Sequence, residues 1–171
     1  MLMPFGGRAP RVHPDAWIAD EAVVVGDVEI GAASSVWFHA VVRGDIHAIR
    51  IGARTNVQDN ATIHVVGGRF GTTIGDGVTI GHNAVVHGCT LEDGVLIGMG
   101  AIVLDGAVVG RDSLVGAGAV VTPGTVVPAG SVVLGNPGRV VRALPPEERA
   151  RLADAAARYV ELGARYRAGR G

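Results

Sequence analysis

Lysine is absent from this chain of 171 residues, and all 15 basic residues are arginine. That excludes a Schiff-base lysine and a phosphate-loop lysine. Aromatic residues make up only 4%, so large ring wedges cannot fill the core. The single cysteine, Cys89, cannot form an internal disulfide, and a reducing compartment is the simplest setting. No apolar run approaches the roughly 18 residues of a membrane helix. Residues 1–10 hold no apolar leader core, so a cytoplasmic protein without a membrane partner is expected. An excess of one charge is missing too. With 15 basic and 16 acidic residues, net −1, the sequence offers no basis for holding nucleic acid.

What is abundant is glycine, with 27 residues, and valine, with 28. The apolar fraction of 48% and mean hydropathy of +0.35 argue against disorder. Glycine does not recur every third residue, which excludes a collagen helix. The valines are ordered instead by a period of six: Ile97, Val103, Val109, Val115, Val121, Val127 and Val133, with Leu91 one step before. Three more registers run Ile18, Val24, Ile30, Val36, Val42; then Ile51, Val57, Ile63; then Ile74, Ile80, Val86, making 19 hexads in all. Hairpins of a sandwich would show turns every 8–12 residues, and this chain does not. A short strand plus a two-residue corner explains a six-residue period, and such a unit is stable only when stacked.

The pattern resembles the hexapeptide-repeat proteins. That resemblance implies an all-β solenoid, a left-handed parallel β-helix with three hexads per coil and about six coils. The expected organisation is a β-helix domain over 1–140 and a C-terminal helical segment over 141–171 that packs on it. Pro145-Pro146-Glu147-Glu148 reads as the helix start. Leu152, Ala155, Ala156, Tyr159, Val160 and Leu162 form its apolar stripe. The register breaks three times. Three residues are extra between Val42 and Ile51, five are extra between Ile63 and Ile74, and one is missing between Val86 and Leu91.

With three hexads per coil, the hexads at Val42, Ile63 and Val86 stack on one face, so Arg43, His64 and His87 share a column. Strands one coil apart are about 4.8 Å apart, close enough for two imidazoles to share a metal. Asp59 and His82 hold the same hexad position on the neighbouring face. His82 therefore meets His64 and His87 only from another subunit, which predicts a homotrimer with three composite sites of three histidines each. His13, His39 and His47 read as surface or corner residues, and Cys89 as a small packed thiol.

Arg43-Gly44-Asp45, Gln58-Asp59-Asn60, His64 and His82-x4-His87 together resemble the γ-class carbonic anhydrases. The resemblance implies that His64, His82 and His87 bind Zn2+, or alternatively Fe2+ or Co2+. It makes Arg43, Asp45 and Asp59 interface ion pairs, and it makes Gln58 and Asn136 candidate catalytic residues. The implied reaction is reversible hydration of CO2 to bicarbonate by metal-bound hydroxide. The best-studied enzymes of this class carry a Glu after the Arg-Gly-Asp and an acid in the loop after the first His. Here those places hold Ile46 and the acid-free stretch 65–73 with Arg69 and Phe70, so buffer or another residue must carry the proton. Two other readings share the fold: a coenzyme A-dependent acyltransferase with one His as general base, and a non-catalytic metal-binding trimer.

Overall fold

The computed structural model describes residues 1–169. Arg170 and Gly171, the last two residues of the expected helical segment, lie outside the described residues. Strands wind parallel around a three-sided prism. The first face stacks Leu2–Met3, Val23–Ile30, Val41–Ile51, Thr62–His64, Val85–His87, Ile102–Val103 and Val120–Val121. The second face begins with Arg11–Val12. It continues through the distal halves of the two long strands to Thr72–Ile74, Thr90–Leu91, Val108–Val109 and Val126–Val127. The third stacks Trp17–Ile18, Ser35–Val36, Asn56–Val57, Thr79–Ile80, Leu96–Ile97, Leu114–Val115 and Ser131–Leu134. The antiparallel strand Arg139–Ala143 closes that face.

Each face thus has seven rungs, one more than the hexads from Ile18 onward imply. The extra coil comes from Leu2–Met3, whose residues are exposed, and from Arg11–Val12, where half-buried Val12 packs against the core one hexad before Ile18. Elsewhere the periodic residue is the inward one. Val24, Val42, Ile63, Val86 and Val103 are fully buried, as are Val57, Ile80, Ile97 and Val115.

The register breaks become local devices. Between Gly44 and Ile49 the strand bulges against Val23–Ile30, with register shifting between Gly26 and Val28. Gly26 sits at φ +76°, where a Cβ would lie 2.4 Å from the Gly44 carbonyl oxygen, so close passage of the two strands requires glycine there. The second break is a loop pinned by the Val66 N–H donating to the Phe70 carbonyl at 2.8 Å.

The bulge is anchored by Asp27, a buried carboxylate bonded to Arg50 at 2.8 Å and to Arg8. The Arg50 hydrogen bond holds its carboxyl below the ordinary 3.8; burial opposes this, and Arg8 adds to the lowering. A carboxyl depressed on folding contributes its stability fully above the unfolded value and loses it as pH falls through the folded value. Asp27→Asn is expected to cost about 1–3 kcal/mol at neutral pH. The gap to the native chain should narrow at acid pH below 3.8, as pH falls through the lowered folded value. Urea midpoints of both chains at neutral and at acid pH check this.

Helix α1, Pro146–Ala168, begins at Pro145 with Glu147 and Glu148 in its first turn. It packs on the third face against Trp17–Ile18, Ser35–Val36, Asn56–Val57 and Thr79–Ile80. Ala156 and Gly163 are buried, and Tyr159 and Leu162 pack against the core. At Gly163 the helix approaches so closely that a Cβ would stand 3.3 Å from that of Ser35. Five of the seven aromatics gather here. Trp17, Trp37, Phe38, Tyr159 and Tyr166 meet with ring centres 4.7–6.2 Å apart. Among the described residues no helix is long and apolar enough to cross a membrane. Cys89 is buried, and burial pushes its thiol up to about 12, so it is a packing residue rather than a nucleophile.

Candidate metal centre

Parallel register sets His64 directly opposite His87. Strand alternation buries Ile63 and Val86 and turns both imidazoles outward, where they are half-buried. His64 Nδ1 lies 3.1 Å from His87 Nε2. The outer nitrogens have carboxylate partners. His64 Nε2 is 3.1 Å from Asp45 Oδ1, and His87 Nδ1 bonds Asp105 Oδ1. An ionised carboxylate only accepts, so each outer nitrogen donates the proton. The inner nitrogens are then two lone pairs facing each other.

Two imidazole nitrogens on one tetrahedral cation, each at about 2.0–2.1 Å, stand roughly 3.3 Å apart. The separation is close to that value, and the carboxylate partners orient the rings as metal-binding histidines require.

Asp45 reaches His64 because the bulge after Gly44 re-aims it. It also pairs with Arg43. Burial alone would raise its pKa, but hydrogen bonds from Arg43 and His64 outweigh that and hold the carboxyl below its usual range.

His82 lies in the corner between the third and first faces, stacked over Asp59, with Nδ1 2.7 Å from Asp59 Oδ2. That bond engages Nδ1 and leaves Nε2 available on a side chain that is 38% exposed. His82 does not join the other two histidines within one chain. Among the described residues, no three His, Cys, Asp or Glu side chains of a single chain form a cation site.

The remaining sequence candidates divide between coils. Asp59 pairs with His82, not with an arginine, within the chain. Gln58, next to Asp59, is buried, and its Nε2 donates to Asn56 Oδ1 at 3.1 Å. Asn136 sits exposed in the turn after Ser131–Leu134, one layer over Val120, which is itself two coils beyond His87, so Asn136 stands three coils from it. At about 4.8 Å per coil that is on the order of 14 Å away. The structure therefore brings His64, His87, Asp45 and Arg43 together in one chain, sets His82, Asp59 and Gln58 at the neighbouring corner, and leaves Asn136 apart. Ile46 is exposed on the bulge, and Phe70 packs over Gly88 and Gly106.

Sequence reasoning missed Asp105. The signal was present: Asp105 holds the third place in the Val103 hexad, the place Asp59 holds in its own, one coil beyond His87.

Seven coils of hexads define a hexapeptide-repeat β-helix protein. The family model described as bacterial transferase hexapeptide (six repeats) matches residues 88–123. A solved hexapeptide transferase family protein from Anaplasma phagocytophilum superposes with a TM-score of 0.93 at 39% identity, covering 97% of this chain and 98% of that one. The chain is 40% identical to a carbonic anhydrase of Geobacillus kaustophilus (strain HTA426) over 168 residues, covering 98% of this chain and 92% of the relative. It is 45% identical to mitochondrial gamma carbonic anhydrase 1 of Arabidopsis thaliana over 166 residues, 94% of this chain, and it spans 60% of that relative's length. The chain belongs to the γ-class carbonic anhydrase-like family of hexapeptide-repeat proteins.

Proposed function

We propose that this protein is a metal-dependent carbonic anhydrase, interconverting CO2 and bicarbonate at sites shared between the subunits of a homotrimer. The observation that carries this reading is the pair of imidazole nitrogens 3.1 Å apart, each ring held by its own carboxylate. A divalent cation there, Zn2+ or alternatively Fe2+ or Co2+, supplies a Lewis acid that makes water a nucleophile near neutral pH.

The chain's own residues do the rest. His64 and His87 hold the ion from one subunit, and His82 of a neighbouring subunit completes the set. Asp45, Asp105 and Asp59 each fix one of these rings. Gln58 arrives with His82 on the neighbour's corner and orients CO2 or the attacking water through its carboxamide. The Arg43–Asp45 pair holds the interface edge of the site. Asn136 is assigned no role. Proton export has no acidic side chain at Ile46 or in the loop 65–73, so buffer takes the proton.

The test is anaerobic purification, loading with each metal in turn, metal analysis and stopped-flow CO2 hydration. Expected is about one ion per chain, the stoichiometry of three composite sites per trimer, with a rate that climbs with buffer concentration. Protein that takes up none of the three metals would sink the reading. A second reading, an acyltransferase, draws support from the relative titled as a hexapeptide transferase. It predicts calorimetric binding of coenzyme A and acetyl transfer to an amine or hydroxyl acceptor.

A further inference from the structure

The Asp105 contact has a consequence for which nitrogen of His87 faces His64. Neutral histidine has two tautomers, and the hydrogen bond made by one nitrogen decides the state of the other. An isolated imidazole side chain favours the proton on Nε2. In His87 that tautomer would donate from Nε2 to His64 Nδ1, only 3.1 Å away. Such a hydrogen bond would occupy both inward nitrogens and leave a cation no lone pair. Asp105 bonds the opposite nitrogen of the ring.

Asp105 is built into this position. It comes from the first-to-second corner one coil beyond His87, directly after the strand Ile102–Val103. Gly88 clears its path. At φ +56°, a Cβ on residue 88 would stand 3.2 Å from Asp105 Oδ1 and 3.2 Å from Phe70 Cβ. The Phe70 ring closes the other side over Gly106. A missing residue between Val86 and Leu91 tightens the corner at Gly88, and an insertion supplies Phe70. Two of the register breaks thus converge on this carboxylate.

We propose that Asp105 is a positioning residue that holds His87 in the Nδ1–H tautomer and so keeps its Nε2 open to a cation. The proposal rests on the reading of His64 and His87 as ligands. Asp105 touches neither substrate nor ion and acts through His87.

The test uses the full chain, labelled with 15N-histidine and freed of metal, in native form and as Asp105→Ala. Asp105→Ser, too short to reach the ring, is the second variant should the first fold poorly; Asp105→Glu is the conservative rescue. His87→Gln assigns the His87 signals among the six histidines. In the native chain His87 is expected to carry its proton on Nδ1, and in Asp105→Ala on Nε2. Zinc affinity, measured by chelator competition, is expected to fall about 10–100-fold in Asp105→Ala and to recover in Asp105→Glu. A native His87 already protonated on Nε2 would overturn the proposal. So would an Asp105→Ala chain that keeps the Nδ1 proton, or one whose zinc affinity is unchanged. The tautomer is read without metal. A native chain that binds no cation would therefore sink the metal reading while the nitrogen spectra still decide what Asp105 does.

Discussion

His82→Ala is expected to strip the cation from all three sites of the trimer while leaving the β-helix intact. The two halves of that statement have separate causes. His82 lies in a corner, is 38% exposed, and its ring bonds Asp59. Neither the inward column nor the backbone ladder depends on it, so the thermal midpoint should shift little. Metal retention is another matter. Without His82 the ion keeps two protein nitrogens of three, and two-coordinate sites on a half-exposed surface do not compete with a chelator. Metal analysis after dialysis against chelator should fall from about one ion per chain to near none. Full retention of metal would refute the composite site. Mixing gives a sharper check. Trimers assembled from His82→Ala and His64→Ala chains pair an intact His64 with an intact His82 at one boundary. They should regain part of the metal that neither variant holds alone. A site contained in one chain could not be restored this way.

Ile80→Ala should produce one of the large losses of stability among single core changes. Ile80 is fully buried and pairs with Val57 on one side and Ile97 on the other. Truncating a buried isoleucine costs about 2–5 kcal/mol, because the neighbours cannot collapse into the space. A narrow prism makes collapse harder still, since each rung is held by ladders from both adjacent rungs. In a stacked repeat that damage acts on two nearest-neighbour interfaces. The same truncation at Ile18, half-buried on the first rung of the third face, removes less buried area and disturbs one interface. Urea denaturation should therefore rank Ile80→Ala well below Ile18→Ala in midpoint. Equal midpoints would show that the coils do not share their stability in this way.

How much of this was legible beforehand differs from residue to residue. His64 and His87 were placed in one column from the sequence because the hexad keeps its inward aliphatic at one fixed place, and counting from it locates each outward neighbour. His82 was set apart by the same count, and the structure refines its place from a face to a corner. The Leu2–Met3 rung of the first coil was not legible, because both residues are exposed and exposed residues are under no inward constraint, whereas Val12 continues the period one hexad before Ile18. Asp59 and His82 were expected to stack from their shared hexad position, and within the chain they bond, since the corners of successive coils bring the two within reach. Gly163 escaped the helix stripe because its role is close approach to Ser35, not apolar area.

The sequence by itself determined the period, and with it the solenoid, the inward valines and the column of two histidines. It could do so because in a hexad the distance along the chain converts directly into position around the axis. Only the tertiary structure decided which nitrogen of each ring faces inward. That choice depends on carboxylates delivered by a bulge at Asp45 and by the next coil at Asp105, across breaks in the period where counting along the chain no longer gives position in space.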